Sequence, residues 1–397
     1  MSDKTAIVIG GGIAGCSTAY ALAERGISVT ILEHHNELAL EASGNPIATL
    51  YPKLSIKPNA QSTLALEGFA FTLDLLKQLP NHAEFFNACG QIQLAYDARE
   101  QSRQNAFITQ QESALFQAVD AQSASVIAGI PLSMGGLFLP QAGWIKPKAF
   151  CNALVNTLNI TKNFHKRIIS IQKTDSQWQV KDENSAFTAD IVVLCTANQI
   201  QQLSLCKSVY STPVRGQINF FAPTTASQHI KTIICSTQYL SPAVDGLHSI
   251  GATYAPNNLN PHLEKADTLE NMYALQKISP EIFDSIQPYH AQGRVAWRSQ
   301  TLDYLPLAGQ MLDDKTLRAK PPRYNAKPAD LPWLDGLYVN AGHGSKGMIT
   351  APICAELIAN MVSNSALNLD KNLASKLNPS RFLLKELGLK QLANTLY

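Results

Sequence analysis

The chain opens on an apolar run, Ala6-Ile7-Val8-Ile9, that stops in the turn Gly10-Gly11-Gly12-Ile13-Ala14-Gly15. Behind the turn, Ala19, Leu22 and Ala23 recur at helical spacing as far as Gly26, which stands where a C-cap is expected. A second apolar run, Val29-Thr30-Ile31-Leu32, ends at Glu33. The pattern predicts a strand, a tight turn, a helix and a second strand. Helical periodicity returns from Leu64 to Leu79, and another helix is predicted from Pro147 to Leu158, with the proline in its first turn. Gly90 to Leu94 and Gly135 to Leu139 read as turns and strands.

Farther along, Ile168, Ile169 and Ile171 form one predicted strand and Trp178-Gln179-Val180 begins its hairpin partner. The run Ala189 to Ala197 has the pattern of a buried strand ending in small residues. From about residue 213 to 305, strands alternate with one charged helix, Lys265 to Lys277. The Pro- and Lys-rich stretch Lys315 to Pro332 reads as a surface loop, and Gly336 to Ala341 as a further buried strand. Met348 to Val362 is too short for a membrane span and, with Glu356 inside it, reads as a core helix. Beyond Asn364, Lys371, Lys376, Arg381, Lys385 and Lys390 make a basic tail. The nucleotide-type βαβ pattern is thus left and re-entered, so its domain is expected to be discontinuous.

Composition adds limits. A chain of 397 residues can bury a large core, and two domains are expected. A net charge of +2 neither demands nor excludes a nucleic-acid partner. The seven cysteines are dispersed with no CxxC pair, which argues against zinc and for reduced thiols in a cytoplasmic protein. The first apolar stretch is short and broken by glycines, unlike a signal peptide, and no membrane partner is expected.

The chemistry begins at the first turn. Gly10 allows the bend, Gly12 lets the backbone approach a pyrophosphate, and Gly15 lets helix and strand pack closely. The helix N-terminus offers N–H groups to phosphates, and Glu33 stands where an acid would bind ribose hydroxyls. An acid there favours NAD or FAD over NADP without separating the first two. A second glycine-rich loop, Asn340-Ala341-Gly342-His343-Gly344-Ser345-Lys346-Gly347, leads from a strand into a helix. That arrangement makes a second anion-stabilising site, suited to the negative charge of a reduced flavin. Arg298, in Arg294 to Pro306, could grip a carboxylate bidentately, or lie at the surface. Arg215 could do the same, or serve as a salt-bridge partner, and His343 could be catalytic or structural. The other histidines fall in no ligand spacing apart from His34-His35, expected to be exposed, so no metal is expected. The G-x-S-x-G, HExxH and phosphate-loop signatures are lacking.

Taken together, GGGIAG with Glu33, the ASGN turn, ADIVVLCTA, WRSQTLDYLPLAG and GLYVNAGHGSKGM resemble the D-amino-acid oxidase-like flavoproteins over nearly the whole chain. EASGNPIATLYPKLS, PVRGQI, GATY, GHGSKGMITAPICAELIA and the tail's NPSRF are similar to the FAD-dependent oxidoreductase domain of the bifunctional enzymes of tRNA 5-methylaminomethyl-2-thiouridine biosynthesis. Two departures are Ala48, where that family usually has glycine, and Lys346, where it often has arginine. No methyltransferase segment precedes the first strand, so the chain is either a stand-alone oxidoreductase or cut from a longer one.

The resemblance implies an α/β fold, with a Rossmann-like FAD-binding domain at residues 1–60, 140–212 and 333–365. It implies an antiparallel-sheet substrate domain at 61–139 and 213–332, followed by the basic tail 366–397. FAD contacts are expected from Gly10, Gly12, Ile13, Ala14, Gly15, Glu33, Ala42, Ser43, Gly44, Asn45, Ile168, Thr196, Ala197, Gly342, Gly344, Ser345, Lys346, Gly347 and Met348. Arg298, Lys346 and His343 are expected to be catalytic, and Arg215, Tyr254 and Arg298 to bind substrate. The implied reaction is oxidation of the N–CH2–COO⁻ arm of 5-carboxymethylaminomethyl-(2-thio)uridine in a tRNA wobble position. Hydrolysis then gives glyoxylate and the 5-aminomethyl base, a methyltransferase would act on that product, and oxygen would reoxidise the flavin. The alternatives are a glycine- or sarcosine-type amino-acid oxidase and a flavin-binding subunit without turnover. An NAD-dependent dehydrogenase would have no need of the closing glycine loop.

Overall fold

The structure is a computed structural model that describes residues 4–110, 115–156, 159–286, 292–323 and 325–397. Its organising element is a six-stranded sheet ordered Leu307–Leu312, Trp333–Ala341, Ile191–Leu194, Thr5–Ile9, Ser28–Leu32, Ile160–Asn163. All neighbours are parallel except Leu307–Leu312, which runs antiparallel to Trp333–Ala341. The central runs Ala6–Ile9 and Ile191–Leu194 are wholly apolar because both faces are covered. Val8, Ile31 and Val193 pack with the helices Ile13–Ala23, Pro147–Val155 and Gly347–Val362. On the other side Ile7, Val192 and Val339 meet Trp178 and Val180 of the antiparallel sheet Ser170–Thr174, Gln177–Lys181, Ala186–Ala189.

The second large layer is a nine-stranded sheet. It joins Gln91–Leu94, Gln117–Val119 and Gly136–Leu139 to strands between Thr212 and Gln300. Its longest pair, Thr212–Phe221 with Gln292–Gln300, is antiparallel and in register from Thr212 opposite Gln300 to Phe220 opposite Gln292. Helix Lys265–Ile278 covers the face away from the six-stranded sheet's opening, through Met272, Leu275 and Ile278. Helix Ala60–Gln78 starts at Asn59, whose side chain accepts from Ser62 N–H while the Ser62 hydroxyl accepts from Asn59 N–H. It lies so close on helix Gly347–Val362 that a Cβ on Gly68 would come 2.4 Å from the Ile349 carbonyl oxygen.

The expected boundaries need correction in four places. Leu307–Leu312 belongs to the six-stranded sheet, although residues 213–332 were assigned to the substrate domain. The hairpin strand begins at Ser170, so Ile168 and Ile169 precede it. The predicted loop Lys315 to Pro332 contains helix Asp314–Ala319, stopped by the Asp313 cap on one side and prolines on the other. The tail is no solvated basic extension. Helices Lys371–Leu377, Arg381–Glu386 and Lys390–Ala393 bury Leu373, Leu377, Leu383, Leu384 and Leu392 against the sheet edge and helix Asp314–Ala319. Helix Pro147–Val155 ends before the predicted Leu158, which lies outside the described residues. No helix among the described residues is long and apolar enough to cross a membrane.

Candidate active site

A cavity of about 940 Å³ runs between the two large sheets, from Glu33 past both glycine loops to Arg298. At its first end Gly10 takes φ +106°, and a Cβ there would stand 2.6 Å from the Cys195 carbonyl oxygen. Gly15 is under greater pressure, since a Cβ would lie 1.8 Å from the Gly10 carbonyl oxygen. Gly12 differs: its Cβ would meet only Ser43 Oγ, at 3.5 Å, so the space it leaves open belongs to the cavity. Ser43 Oγ accepts from Ile13 N–H at 3.0 Å, and the Gly12 and Ala14 N–H groups have no described partner. This helix end is therefore still short of acceptors, as an anion site requires.

Glu33 is buried at the same end. Its carboxylate accepts from Gly11 N–H at 2.5 Å and from His35 N–H at 2.8 Å, and lies 2.9 Å from His34 Nδ1. His34 and His35, expected to be exposed, are half-buried with ring centroids 3.7 Å apart, and His35 Nε2 lies 2.8 Å from a Glu41 oxygen. Glu33, His34 and His35 bring three possible ligand atoms within 4.8 Å. Both Glu33 oxygens already accept backbone N–H groups, and His34 Nδ1 and His35 Nε2 already face Glu33 and Glu41 oxygens.

At the other end, strand Trp333–Ala341 delivers the loop Gly342–Lys346, and helix Gly347–Val362 begins with no side-chain cap. Gly342 and Gly344 take φ +73° and +55°, which glycine adopts freely. Gly344 N–H donates to the Ser299 carbonyl at 2.7 Å, tying the loop to the Arg298 strand. His343 is held within the loop. Asn340 Nδ2 faces the Ala14 and Ala351 carbonyls, which leaves its Oδ1 to accept from His343 Nε2–H at 3.0 Å. His343 Nδ1 then accepts from the Thr350 hydroxyl at 2.9 Å. Its surroundings push the imidazole down to about 3, so it is neutral at ordinary pH, and its two ring nitrogens are engaged within the loop. Lys346 Nζ lies 3.5 Å from the centroid of the Tyr51 ring, a cation–π contact on the cavity wall.

Arg298 and Arg215 sit on the paired long strands, but on opposite faces. The Arg298 guanidinium lies over Gly216, where a Cβ would come 2.7 Å from both terminal nitrogens. It donates to the Thr253 carbonyl at 3.1 Å and has no carboxylate partner among the described residues. Burial lowers its pKa, and the Tyr239 and Tyr254 hydroxyls oppose that shift, yet a guanidinium remains charged. Arg215 is turned away from the cavity and fully buried. It is ion-paired with Asp267 and donates to the Asn260 and His262 carbonyls. Its expected substrate role is therefore corrected to an internal brace between strand and helix.

Of the other expected contacts, Ile13, Ala42, Asn45, Ile168, Thr196, Ala197, Ser345, Gly347, Met348 and Tyr254 line the cavity, whereas Gly15 and Gly44 lie behind the wall. Gly44 has its own reason: a Cβ would strike Arg294 Nη2 at 2.7 Å. Arg294 was missed by sequence reasoning. It donates to Asn45 Oδ1 at 2.7 Å and to the Leu40 and Glu41 carbonyls at 2.6 Å, joining the ASGN turn to the Arg298 strand. The signal was present, since residues four apart in a strand share a face. Tyr51 of a loop, Asn198 of the 3-10 turn Ala197–Gln202 and Tyr239 of the short strand Tyr239–Leu240 were also missed, although Asn198 directly follows the expected Thr196 and Ala197.

The residues fit an FAD. One end offers uncapped N–H groups and a buried acid for a nucleotide, and the other offers a second helix N-terminus. Between them, Thr196 Oγ1, Asn198 Oδ1 and Ser299 Oγ are buried on the cavity wall without a partner. Such atoms cost about 1–3 kcal/mol each unless a bound group satisfies them.

The profile of the FAD-dependent oxidoreductase family matches residues 5–361. The tRNA 5-methylaminomethyl-2-thiouridine biosynthesis bifunctional protein MnmC of Methylobacillus flagellatus is 40% identical over 100% of this chain and 62% of its own length. The same-named protein of Pseudomonas syringae pv. tomato is 39% identical over 97% of this chain and 60% of its own. The chain thus spans about three fifths of these relatives. Among solved structures, glycine oxidase from Geobacillus kaustophilus superposes with a TM-score of 0.77 at 20% identity, covering 95% of this chain and 99% of its own. L-proline dehydrogenase from P. horikoshii gives 0.77 at 18% identity, covering 96% and 98%. These two likenesses establish the fold.

Proposed function

The chain belongs to the FAD-dependent oxidoreductase family, and from that premise we propose that it oxidises the carboxymethylamino arm of 5-carboxymethylaminomethyl-(2-thio)uridine at the wobble position of a tRNA. The observation that carries the proposal is Arg298, a charged fork on the cavity wall with no carboxylate of its own. A substrate carboxylate supplies the missing partner, which a planar guanidinium can meet bidentately, and Gly216 leaves the room in which that guanidinium lies. The same fork would suit a free amino acid. The tRNA substrate is favoured by the near-complete alignment with two MnmC proteins at about 40% identity.

FAD would be held by the Gly10–Ala14 turn, Ser43, Glu33, Thr196–Ala197 and the Gly342–Met348 loop, and would supply there an acceptor for a hydride from the substrate methylene carbon. Arg298 fixes the carboxylate and so presents that carbon, which is chiefly a positioning task. The helix N-terminus at Gly347, with Lys346 beside it, stabilises negative charge developing at the reacting end. The neutral His343 holds the loop in shape and takes no proton. Loss of two electrons and two protons from NH–CH2–COO⁻, one proton leaving with the electron pair as hydride and the other from nitrogen to water, leaves an imine, and water splits it to glyoxylate and the 5-aminomethyl base. A methyltransferase, joined or separate, would then use the exposed amine, and the setting is the cytoplasm. In this assignment residues 1–60, 140–212, 307–312 and 333–365 serve the cofactor, and the nine-stranded sheet serves the substrate.

The test is anaerobic mixing of the FAD-loaded protein with tRNA bearing the carboxymethylaminomethyl group. Flavin bleaching with release of glyoxylate and appearance of the 5-aminomethyl nucleoside is expected. Bleaching by free glycine or sarcosine and none by the tRNA would overturn the assignment.

A further inference from the structure

Just beyond Arg298 the chain makes a turn that is rigid yet turned outward. Leu302 is 72% exposed and Tyr304 63% exposed, with Tyr304 held at φ +60°, a conformation that bulky residues seldom adopt. The turn is fixed from behind. Arg381, fully buried, donates to both Asp303 carboxylate oxygens at 2.9 and 2.7 Å, and Thr301 Oγ1 donates to the Leu305 carbonyl at 2.7 Å. From the opposite side Gln61 Nε2 donates to the Asp303 carbonyl at 2.8 Å, joining the turn to the segment that follows Tyr51. On that segment Lys53 and Lys57 are exposed and neither forms an ion pair with a described residue. Gln300 Nε2 donates to the Tyr254 hydroxyl at 2.6 Å, and Tyr254, 51% exposed, lines the cavity.

An outward apolar ring by itself would be unremarked on any surface. Here an exposed ring and an exposed aliphatic side chain follow the cavity residues Arg298 and Ser299 in the chain, two lysines without an ion pair among the described residues follow the cavity residue Tyr51, the Gln61–Asp303 bond ties the two segments together, and the acid among them is already neutralised by Arg381. Rigid rings beside free cationic charge are the combination that binds unpaired bases and their phosphates. We propose that Tyr304, Leu302, Lys53 and Lys57 form a docking rim for a single-stranded RNA loop, with Tyr304 stacking on a base next to the one that enters the cavity and the two lysines meeting its phosphates. The inference rests on the tRNA assignment above and deepens it, since a small amino acid would use none of these groups.

The test compares Tyr304→Ala, Tyr304→Phe and Lys53→Ala/Lys57→Ala with the unaltered FAD-loaded protein on two substrates, the modified tRNA and the free 5-carboxymethylaminomethyluridine nucleoside. For tRNA, Tyr304→Ala should lose about tenfold in kcat/KM and Tyr304→Phe should not, while the nucleoside rate and flavin content stay level in both. In the double lysine variant, the slope of log affinity for tRNA against log salt should shrink by about 0.7 per lysine removed. If the unaltered protein oxidises the tRNA and all three variants match it in rate and salt slope, the rim is wrong and the tRNA assignment stands. If the unaltered protein neither binds nor oxidises the tRNA, the assignment falls and takes the rim with it. Equal losses on tRNA and nucleoside would also refute the rim, because they would mark a disturbed cavity.

Discussion

The two faces of the long strand pair give the same residue type opposite work. On the cavity face, Arg298 has room over Gly216 and one backbone acceptor. On the helix face, one residue away in register, Arg215 is fully buried and saturated by Asp267 and two carbonyls. A guanidinium's task is thus set by which acceptors the fold has already supplied. The saturated one braces helix Lys265–Ile278 to the sheet; the unsaturated one waits for a carboxylate from outside.

That contrast can be broken by exchanging the losses. Arg298→Ala should cost about 2–5 kcal/mol of transition-state stabilisation, read from kcat/KM on a carboxymethylamine substrate, and leave the urea midpoint nearly unchanged. Arg215→Ala should do the reverse, losing about 3–5 kcal/mol of folding stability because Asp267 is left without its charge partner. A pair of variants that shifted the same observable would end the distinction. A smaller effect sharpens it: Gly216→Ala puts a methyl 2.7 Å from the Arg298 nitrogens, so kcat/KM should drop by about tenfold or more with the fold retained.

A pH-dependent effect concerns the loop that faces Arg298. His343 has an ordinary value near 6.5 when unfolded and about 3 when folded, so the unfolded chain binds the extra proton between those limits. Its contribution to stability is complete above about pH 6.5 and is lost as the pH falls toward 3. His343→Gln should therefore flatten the decline of the denaturation midpoint between about pH 6.5 and 4, measured against the unaltered protein. An unchanged slope would mean that His343 titrates alike in both states.

Local features were the ones legible beforehand. The Gly10–Gly15 turn, its two strands and the closing loop are each written within a short window, and the structure places them along one cavity. Arg215 was misjudged because its acid stands 52 residues away, in a helix whose docking no local pattern encodes. Arg294 escaped for the same reason, since its acceptors at Leu40, Glu41 and Asn45 lie about 250 positions back in the chain. The tail reads as basic because its lysines recur often. Its leucines, spaced for short helices, decide its place instead, and Arg381 is drawn inside by Asp303. Leu307–Leu312 carries the alternating-free apolar pattern of either sheet, so only the pairing with Trp333–Ala341 could assign it.

The strand order of the central sheet bears on how the protein is made. Of that sheet's strands Thr5–Ile9 is made before the others, yet its neighbours include Ile191–Leu194, and that strand in turn awaits Trp333–Ala341. Nascent chains at intermediate length therefore carry apolar strands with an uncovered edge, the condition in which chaperones and misassembly compete with folding. A flavin held as proposed would stabilise only the finished arrangement, since the two helix ends proposed to receive it, at Ile13 and Gly347, lie far apart in the sequence. Cofactor supply during expression should thus govern yield late, as a trap for completed chains, more than it guides the early ones.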